Sequence, residues 1–401
     1  MIYRRIYAAA TATAVVLSMV LGSAAFAAEA IRIGEMNSYT RLPAFTLPYR
    51  NGWQLALDEI NKAGGVMDRQ IEVISKDDGG NPGDAITVAN DLVAKEGVVL
   101  MFGTLLSNVG LAVSDFAKQK KVPFIAAEPL SDTISWSNGN AYTFRLRPGT
   151  YVQAAMLAEE AAKLPAKRWA TVAPNYEYGK SAVAAFKTLL SKKRPDVEWV
   201  GEQWPALFKI DAGATTQALA QSKPDAIFNV TFGTDLAKFV REGKLRGLFD
   251  GRSVASILAG EPEWIDALKD EAPEGWIVTG YPWYDIETPA HARFKDAYTK
   301  RFNDYPRLGS VVGYASMYTV AEAIGKAGST DTDAILKAMA GLGVDTPLGR
   351  ITYRTADLQS TMGTFVGHLT VKDGMPRMIN WRYGDGKDYL PSEAEAAKMR
   401  P

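Results

Sequence analysis

The regular alternation of short apolar strands with amphipathic helices constrains this chain more than any other feature. The clearest unit has an apolar strand at 98–102, a turn at Gly103-Thr104, a helical pattern through Phe116 and a second strand at 122–127. Strands that alternate with helices form parallel sheets with covered faces. A second series of this kind begins at Arg168, and no linker rich in Gly, Ser or Pro separates the two. The pattern predicts an α/β protein with two lobes joined by several crossings.

Ser107 stands at the start of the helix in this unit, directly after an apolar strand. The first N–H groups of a helix have no partner inside the helix, and together with the helix dipole they favour an anion. Open α/β sheets bind ligands at the carboxyl ends of their strands. A serine here can also serve only as an N-cap. Its position predicts that Ser107 binds an anionic group of a ligand.

The first residues have the pattern of an export signal. Arg4-Arg5 precede the apolar run 8–21, and Ala25-Phe26-Ala27 has the form of a signal-peptidase site. We expect a signal peptide at 1–27. Its apolar run is shorter than the stretch that a transmembrane helix needs. The chain has no cysteine, which excludes disulfides and a lipid-anchored cysteine. The predicted location is the periplasm, in soluble form and without membrane insertion.

Composition and motifs argue against several function classes. Lys plus Arg and Asp plus Glu are both 45, so no net field attracts nucleic acid. His291 and His368 lie far apart without cysteines, which predicts no zinc site and two surface histidines. No Gly-x-Ser-x-Gly elbow occurs, and the phosphate-loop-like Gly179-Lys180-Ser181 has Pro174 where a glycine is required. We therefore predict a binding protein without enzymatic activity, metal or cofactor.

Several short motifs follow one another in order: Ile-Arg-Ile-Gly at 31–34, Asn51-Gly52, Asp58-Glu59-Ile60-Asn61 with Gly64-Gly65, Lys76-Asp77-Asp78 with Asn81-Pro82, the segment 103–115, Tyr178-Gly179 and Glu274-Gly275. In this order and spacing, the chain resembles the branched-chain amino-acid-binding proteins of ABC transporters over nearly its whole mature length. The resemblance implies two Rossmann-like lobes with parallel sheets, joined by a three-crossing hinge that closes over a ligand. It places lobe 1 at about 28–146 and 281–355, and lobe 2 at about 147–280 and 356–401.

The resemblance also implies binding residues in the first lobe. Ser107 matches the serine that holds the ligand's carboxylate, and Asn108 and the loop with Glu128, Leu130 and Ser131 accompany it. Leu130 falls on a threonine whose hydroxyl holds the ligand's ammonium group in that family. Because leucine cannot accept a hydrogen bond, ligands with a carboxylate but no charged amine become more plausible.

In the second lobe, Tyr178 matches the aromatic residue that closes over the ligand, and Phe232 falls where a tyrosine usually helps. Both can also be ordinary core aromatics. Glu261 lies near the family's acidic position for the ammonium group. Tyr39, in an aromatic loop predicted at 39–49, and Tyr151 are expected to add aromatic surface near the cleft mouth.

These residues predict a monomeric periplasmic solute-binding protein. It would capture a small, mostly apolar carboxylate, an aromatic or 2-oxo acid, and deliver it to the membrane permease of an ABC importer. The sequence looks closer to the aromatic and 2-oxo acid subgroup than to leucine binders. A branched-chain amino-acid-binding protein of the same transporter class is the alternative. An exported enzyme or a sensor ectodomain is less expected, and the sensor would need a membrane span or signalling domain after the core.

Overall fold

The computed structural model describes residues 29–401, so the predicted signal peptide lies outside the described residues. The chain first forms β1 (Ile31–Asn37), α1 (Pro43–Lys62), β2 (Ile71–Asp77), α2 (Pro82–Ala94), β3 (Leu100–Gly103), α3 (Ser107–Lys120), β4 (Phe124–Ala126) and β5 (Thr143–Arg145). The five strands form one parallel sheet in the order β2-β1-β3-β4-β5. Strands β3 and β4 are buried along their whole length, as expected for a parallel sheet covered on both faces.

A second set of elements builds the other lobe: α4 (Thr150–Ala161), β6 (Arg168–Val172), α5 (Glu177–Lys193), β7 (Glu198–Gln203), α6 (Ala212–Gln221), β8 (Ala226–Asn229), α7 (Gly233–Leu245), β9 (Ser253–Gly260), α8 (Pro262–Ile265) and β10 (Ile277–Gly280). The last part of the chain forms α9 (Pro289–Phe302), α10 (Leu308–Ala327), α11 (Thr332–Met339), β11 (Gly343–Thr346), β12 (Gly349–Thr352), β13 (Thr364–Lys372), β14 (Met375–Gly384), α12 (Gly386–Tyr389) and α13 (Glu393–Lys398).

The second sheet has the strand order β14-β13-β10-β9-β8-β6-β7. Strands β6 to β10 pair in parallel, whereas β13 and β14 add an antiparallel edge. Helices α9, α10 and α11 return to the first lobe, where α10 packs along α1. Glycines allow this close approach, because a Cβ atom at Gly313 would lie 2.0 Å from the carbonyl oxygen of Tyr49.

Three crossings join the lobes, between β5 and α4, between β10 and α9, and between β12 and β13. The first and third run side by side, because the Arg145 N–H donates to the Leu358 carbonyl (3.0 Å) and the Ser360 N–H donates to the Arg145 carbonyl (2.9 Å). The predicted fold, two lobes with parallel sheets and a three-crossing hinge, is confirmed. The residue limits of the lobes stay a prediction. Within residues 29–401, no helix is long and apolar enough to cross a membrane.

Two local expectations are wrong. The segment 39–49 is not a loop throughout, because α1 already begins at Pro43, a residue whose fixed φ suits the first turn of a helix. His291 is fully buried rather than on the surface, since it faces Tyr281, whose Oη lies 2.5 Å from His291 Nε2. Burial lowers the pKa of His291 to about 4, so the ring is neutral at pH 7. His368 is half-buried.

Candidate functional site

A narrow cavity lies between the lobes at the carboxyl ends of strands from both sheets, where α/β proteins bind ligands. The residues that line it follow β3, β4, β5, β6 and β8 or lie at β9 and α8: Leu105, Leu106, Ser107, Glu128, Leu130, Arg147, Tyr176, Tyr178, Phe232, Leu258 and Trp264. Its free space of ≈ 20 Å³ is close to what one water molecule needs. The structure therefore represents the cleft in a closed form, and a larger ligand requires these walls to move apart.

Gly103 allows the sharp turn from β3 into α3 that positions Ser107. Its φ is +124°, and a Cβ atom there would lie 2.1 Å from the carbonyl oxygen of Met36. Leu106 is the N-cap residue and Ser107 is the first helical residue, so Ser107 stands at the start of the helix without being its N-cap. Leu106 has no side-chain oxygen that could cap α3, so the first N–H groups of the helix remain available to an anion.

The Ser107 hydroxyl connects α3 to the loop after β4. Its Oγ accepts hydrogen bonds from the backbone N–H groups of Leu130 (3.2 Å) and Ser131 (3.1 Å). Because a hydroxyl has two acceptor positions and one proton, these contacts leave the proton free to donate. Ser107 is only 2% exposed. The side chain can thus stabilise the loop and at the same time donate to an oxygen of a ligand.

Arg147, which the sequence interpretation missed, lies on the first crossing between the lobes and contacts two of the predicted site residues. Its Nη1 lies 3.3 Å from Glu128 Oε2, and its Nη2 pairs with Glu261 Oε1. Trp264 Nε1 donates to the other oxygen of Glu261 at 3.0 Å. Arg147 is 2% exposed, and both glutamates are fully buried. The sequence did contain a signal for Arg147. In the Arg-x-Arg pattern at the end of β5, Arg147 follows a parallel strand, as Ser107 does, and such positions bind ligands in α/β sheets.

The carboxyl groups around Arg147 do not all ionise easily. Burial raises the pKa of Glu128 well above its usual value, although the charge of Arg147 opposes this. Burial raises the pKa of Glu261 to about 7. Burial, together with the charge of Glu261, raises the pKa of Glu263 to about 8. Burial alone would lower the pKa of Arg147, but the charges of Glu261 and Glu128 outweigh it and raise that pKa. The one guanidinium therefore lies among three carboxyl groups whose ionised forms are disfavoured by burial.

Aromatic side chains form the rest of the cavity wall. The ring of Tyr178 meets that of Phe232 edge to face, with centroids 5.6 Å apart. Phe232 in turn contacts Trp264 at 5.5 Å, and Trp264 stacks on Phe45 of the first lobe at 5.5 Å. The Arg147 guanidinium carbon lies 5.5 Å from the centre of the Phe45 ring. This wall is apolar and spans both lobes.

Not every predicted residue lines this cavity. Asn108 is the second residue of α3, and its Oδ1 is buried without a partner among the described residues. Ser131 faces the second lobe, where its hydroxyl donates to Glu177 Oε1 at 2.6 Å. Tyr39 is buried within the first lobe, with the guanidinium of Arg50 3.7 Å above its ring.

Tyr151 lies at the start of α4, where its ring packs edge to face on that of Trp136 at 5.3 Å. It is also absent from the cavity wall.

A wide groove of ≈ 840 Å³ shares Trp264 with the inner cavity, and Phe208, which lines the groove, contacts Phe232 of the cavity with ring centroids 5.6 Å apart. Four cationic side chains and one carboxyl group line this outer groove: Arg41, Lys209, Lys238, Arg241 and Glu263. A groove in which groups of one sign predominate raises the local concentration of ions of the opposite sign.

Comparisons with known proteins are consistent with this architecture. A sequence profile described as "periplasmic binding protein" matches residues 31–374. The leucine-, isoleucine-, valine-, threonine-, and alanine-binding protein of Pseudomonas aeruginosa is 26% identical over 314 residues, which cover 76% of this chain and 80% of that protein.

Among solved structures, a solute-binding protein of an ABC transporter from Rhodopseudomonas palustris, in complex with 3,4-dihydroxybenzoic acid, has a TM-score of 0.80 at 23% identity and covers 91% of this chain and 99% of its own. Another solute-binding protein of an ABC transporter from R. palustris, in complex with 4-hydroxybenzoate, has a TM-score of 0.79 at 19% identity. The match covers 90% of this chain and 98% of that protein. At these identities, the structural matches establish the shared fold.

Proposed function

Because the chain belongs to the periplasmic binding protein family and is a solute-binding protein of the ABC-transporter class, we propose that it captures a small, mostly apolar carboxylate in the periplasm. The solute is an aromatic or 2-oxo acid, which the protein, as a monomer, delivers to the permease of an ABC importer. We propose binding without turnover. The binding site consists of the predicted residues that line the cavity, Ser107, Glu128, Leu130, Tyr178 and Phe232, together with Arg147, Trp264 and the Arg147 partner Glu261.

One observation carries this proposal: the cavity joins the Ser107 hydroxyl and the start of α3 to apolar walls at Leu130, Tyr178 and Phe232. A carboxylate is stabilised by charge-assisted hydrogen bonds at the polar end. A ring or branched tail gains about 25 cal/mol for each Å² of apolar surface that it buries against the other walls. The relatives' names fit this chemistry, since both branched-chain amino acids and hydroxybenzoic acids combine a carboxylate with an apolar body.

The cationic side chains of the outer groove are a further argument that the solute is an anion. Arg41, Lys209 and Lys238 are exposed on it, and Arg241, also exposed, pairs with Glu271. Exposed cations beside a cleft accelerate the approach of an anion, and salt screens this effect. We propose that the groove is the route by which the solute reaches the inner cavity when the lobes are open.

A branched-chain amino acid is the second candidate, and one observation favours it. Glu128 Oε1 is buried and has no partner among residues 29–401. An ammonium group is a donor that could satisfy this oxygen.

A thermal-shift screen distinguishes the candidates. Protein recovered from the periplasm of an expressing bacterium is heated with benzoate, 4-hydroxybenzoate, 4-methyl-2-oxopentanoate or L-leucine. A ligand at 100 times its Kd adds about 2.7 kcal/mol of stability, which raises Tm by about 3 to 5 °C. We expect such a rise with at least one of the acids and a smaller one with L-leucine. A rise with L-leucine alone would replace the carboxylate proposal by the amino-acid alternative.

A further inference from the structure

Arg147 occupies the place of a cation in this cleft. Its guanidinium lies between Glu128 of the first lobe and Glu261 of the second, and all three side chains are buried. A buried carboxylate is costly unless a cation or hydrogen-bond donors compensate it. In this chain the compensating cation is part of the protein, so these glutamates do not need one from the ligand.

This arrangement has a direct consequence for a ligand beside Ser107. An α-amino acid would bring its ammonium group next to a guanidinium, where like charges repel in a desolvated site. Arginine offers five N–H donors and no acceptor, so it cannot receive a hydrogen bond from an amine. Leu130 also lines this cavity and has no acceptor to offer.

The same guanidinium favours an oxygen. Arg147 Nε is buried and has no partner among the described residues. A carboxylate, keto or hydroxyl oxygen of a ligand could accept a hydrogen bond from it, whereas an ammonium group could not. Glu128 Oε1 is also buried without a partner among the described residues, so an amine would find one acceptor beside a guanidinium that repels it, whereas an oxygen would find a free donor.

We infer that Arg147 is the specificity-determining residue of the cleft: it takes the place of a ligand's ammonium group, excludes amines and donates to an oxygen of the solute. The ligands it selects are carboxylic acids without an amino group, above all 2-oxo and 2-hydroxy acids. This inference deepens the proposed function and rests on it.

Three acids with one carbon skeleton test the inference on the unmodified protein. The probes are 4-methyl-2-oxopentanoate, 4-methylpentanoate and L-leucine, which differ only in the group at C2, and calorimetry measures each Kd. We expect the oxo acid to bind tightest and L-leucine roughly 100-fold more weakly than the oxo acid. Equal binding of L-leucine and the oxo acid would overturn the inference.

Arg147→Met then tests whether this residue causes the preference. We expect the variant to lose roughly 30-fold or more in affinity for the oxo acid, and the ratio between oxo acid and L-leucine to fall by at least as much. If buried carboxylates prevent this variant from folding, Arg147→Met with Glu128→Gln removes one of them and keeps Glu261 as an acceptor for ammonium. Arg350→Met, which breaks an exposed ion pair with Asp345 on the β11–β12 hairpin, is the control and should leave all three Kd values unchanged.

The failures are distinguishable. If the unmodified protein binds L-leucine but neither 4-methyl-2-oxopentanoate nor 4-methylpentanoate, the proposed carboxylate function itself is wrong. If it prefers the oxo acid and the Arg147 variants keep that preference, the proposed function stands and the role of Arg147 is wrong.

Discussion

Single residues in this protein combine a structural and a proposed binding role. Ser107 accepts two backbone hydrogen bonds from the loop after β4 and still has a proton to donate. It therefore connects the start of α3 to Leu130, whose apolar side chain lines the cavity. One hydroxyl thus holds both the polar end and part of the apolar wall of the cavity in place.

Replacement of Ser107 by alanine should weaken binding of the tightest acid by about 1 to 3 kcal/mol, because a buried carboxylate loses a donor. Calorimetry measures the change in Kd. Ser114→Ala is a matched control on the same helix, since Ser114 is buried and its Oγ lies 2.9 Å from Thr143 Oγ1, away from the cavity. The control should lower stability and leave Kd unchanged. An unchanged Kd for Ser107→Ala would remove this residue from the site.

Glu35 links stability to pH. It is fully buried on β1, Ser75 Oγ donates to its Oε2 at 2.5 Å, and burial raises its pKa to about 8. The folded protein therefore binds a proton that the unfolded chain has released above about pH 4.5. Stability from this group is fully present below that pH and is lost as pH rises through 8.

Glu35→Gln keeps the shape and the contact with Ser75 but removes the titration. We expect the free energy of unfolding of the native protein to fall between about pH 5 and 8, by up to about 1.4 kcal/mol per pH unit for this group. The variant should show a smaller slope in denaturant titrations across this range. Glu72→Gln, at an exposed site on β2, should keep the native slope. Identical slopes for native protein and Glu35→Gln would contradict the assignment.

At the scale of elements, one carboxylate joins the hinge to the start of α4. Asp132 Oδ2 accepts from the N–H of Tyr151 at 2.7 Å, and its Oδ1 lies 3.1 Å from Arg145 Nη2. Arg145 also donates to the carbonyl oxygens of Leu130 (3.1 Å) and Ser131 (2.6 Å). The helix of one lobe is thereby capped from a loop of the other, next to the cavity.

Asp132→Ala should destabilise the protein by about 3 to 5 kcal/mol, because it leaves the buried charge of Arg145 without its partner. Asp211→Ala is the comparison. Asp211 caps α6 by accepting from the Ala214 N–H at 2.9 Å, but it is exposed, so its loss should cost only about 1 kcal/mol. Urea titrations of both variants measure the difference, and equal losses would show that the Arg145 contact contributes nothing beyond the cap.

At the scale of the whole molecule, closure brings groups from both lobes together. Glu177 at the start of α5 accepts from the hydroxyls of Ser131 (2.6 Å) and Thr133 (2.8 Å) across the cleft. Phe45 and Trp264 stack across it as well. Because these contacts join the two lobes, opening of the cleft would break them, so they should slow the release of a ligand more than they affect its capture.

Glu177→Ala should accelerate dissociation of the tightest acid roughly 5- to 100-fold and change its association rate little, since two hydrogen bonds to a charged group are lost after closure. Stopped-flow fluorescence measures both rates. Glu198→Ala, which removes an exposed carboxylate on β7, should leave both rates as in the native protein. Unchanged dissociation from Glu177→Ala would mean that this contact does not stabilise the closed form.

Much of the fold was predictable because its signals are local. Apolar periodicity and turn residues placed nearly every strand and helix, and the alternation of the two indicated parallel sheets and two lobes. The start of α1 was missed, since a proline-rich segment looks like a loop until Pro43 is recognised as the first helical residue. Helix α11 was also missed, and the burial of His291 depends on which face of α9 packs inward.

The sequence by itself determined the α/β class, the two lobes, the order of elements and the place of Ser107 after a parallel strand. Only the tertiary structure brought Arg147 between Glu128 and Glu261. Arg147 and Glu261 stand 114 positions apart in the sequence. The tertiary structure also decided that Tyr39 and Tyr151 lie away from the cavity. The physical reason is that hydrogen bonds and apolar periods within an element act over a few residues, whereas a buried charge cluster depends on how two lobes close.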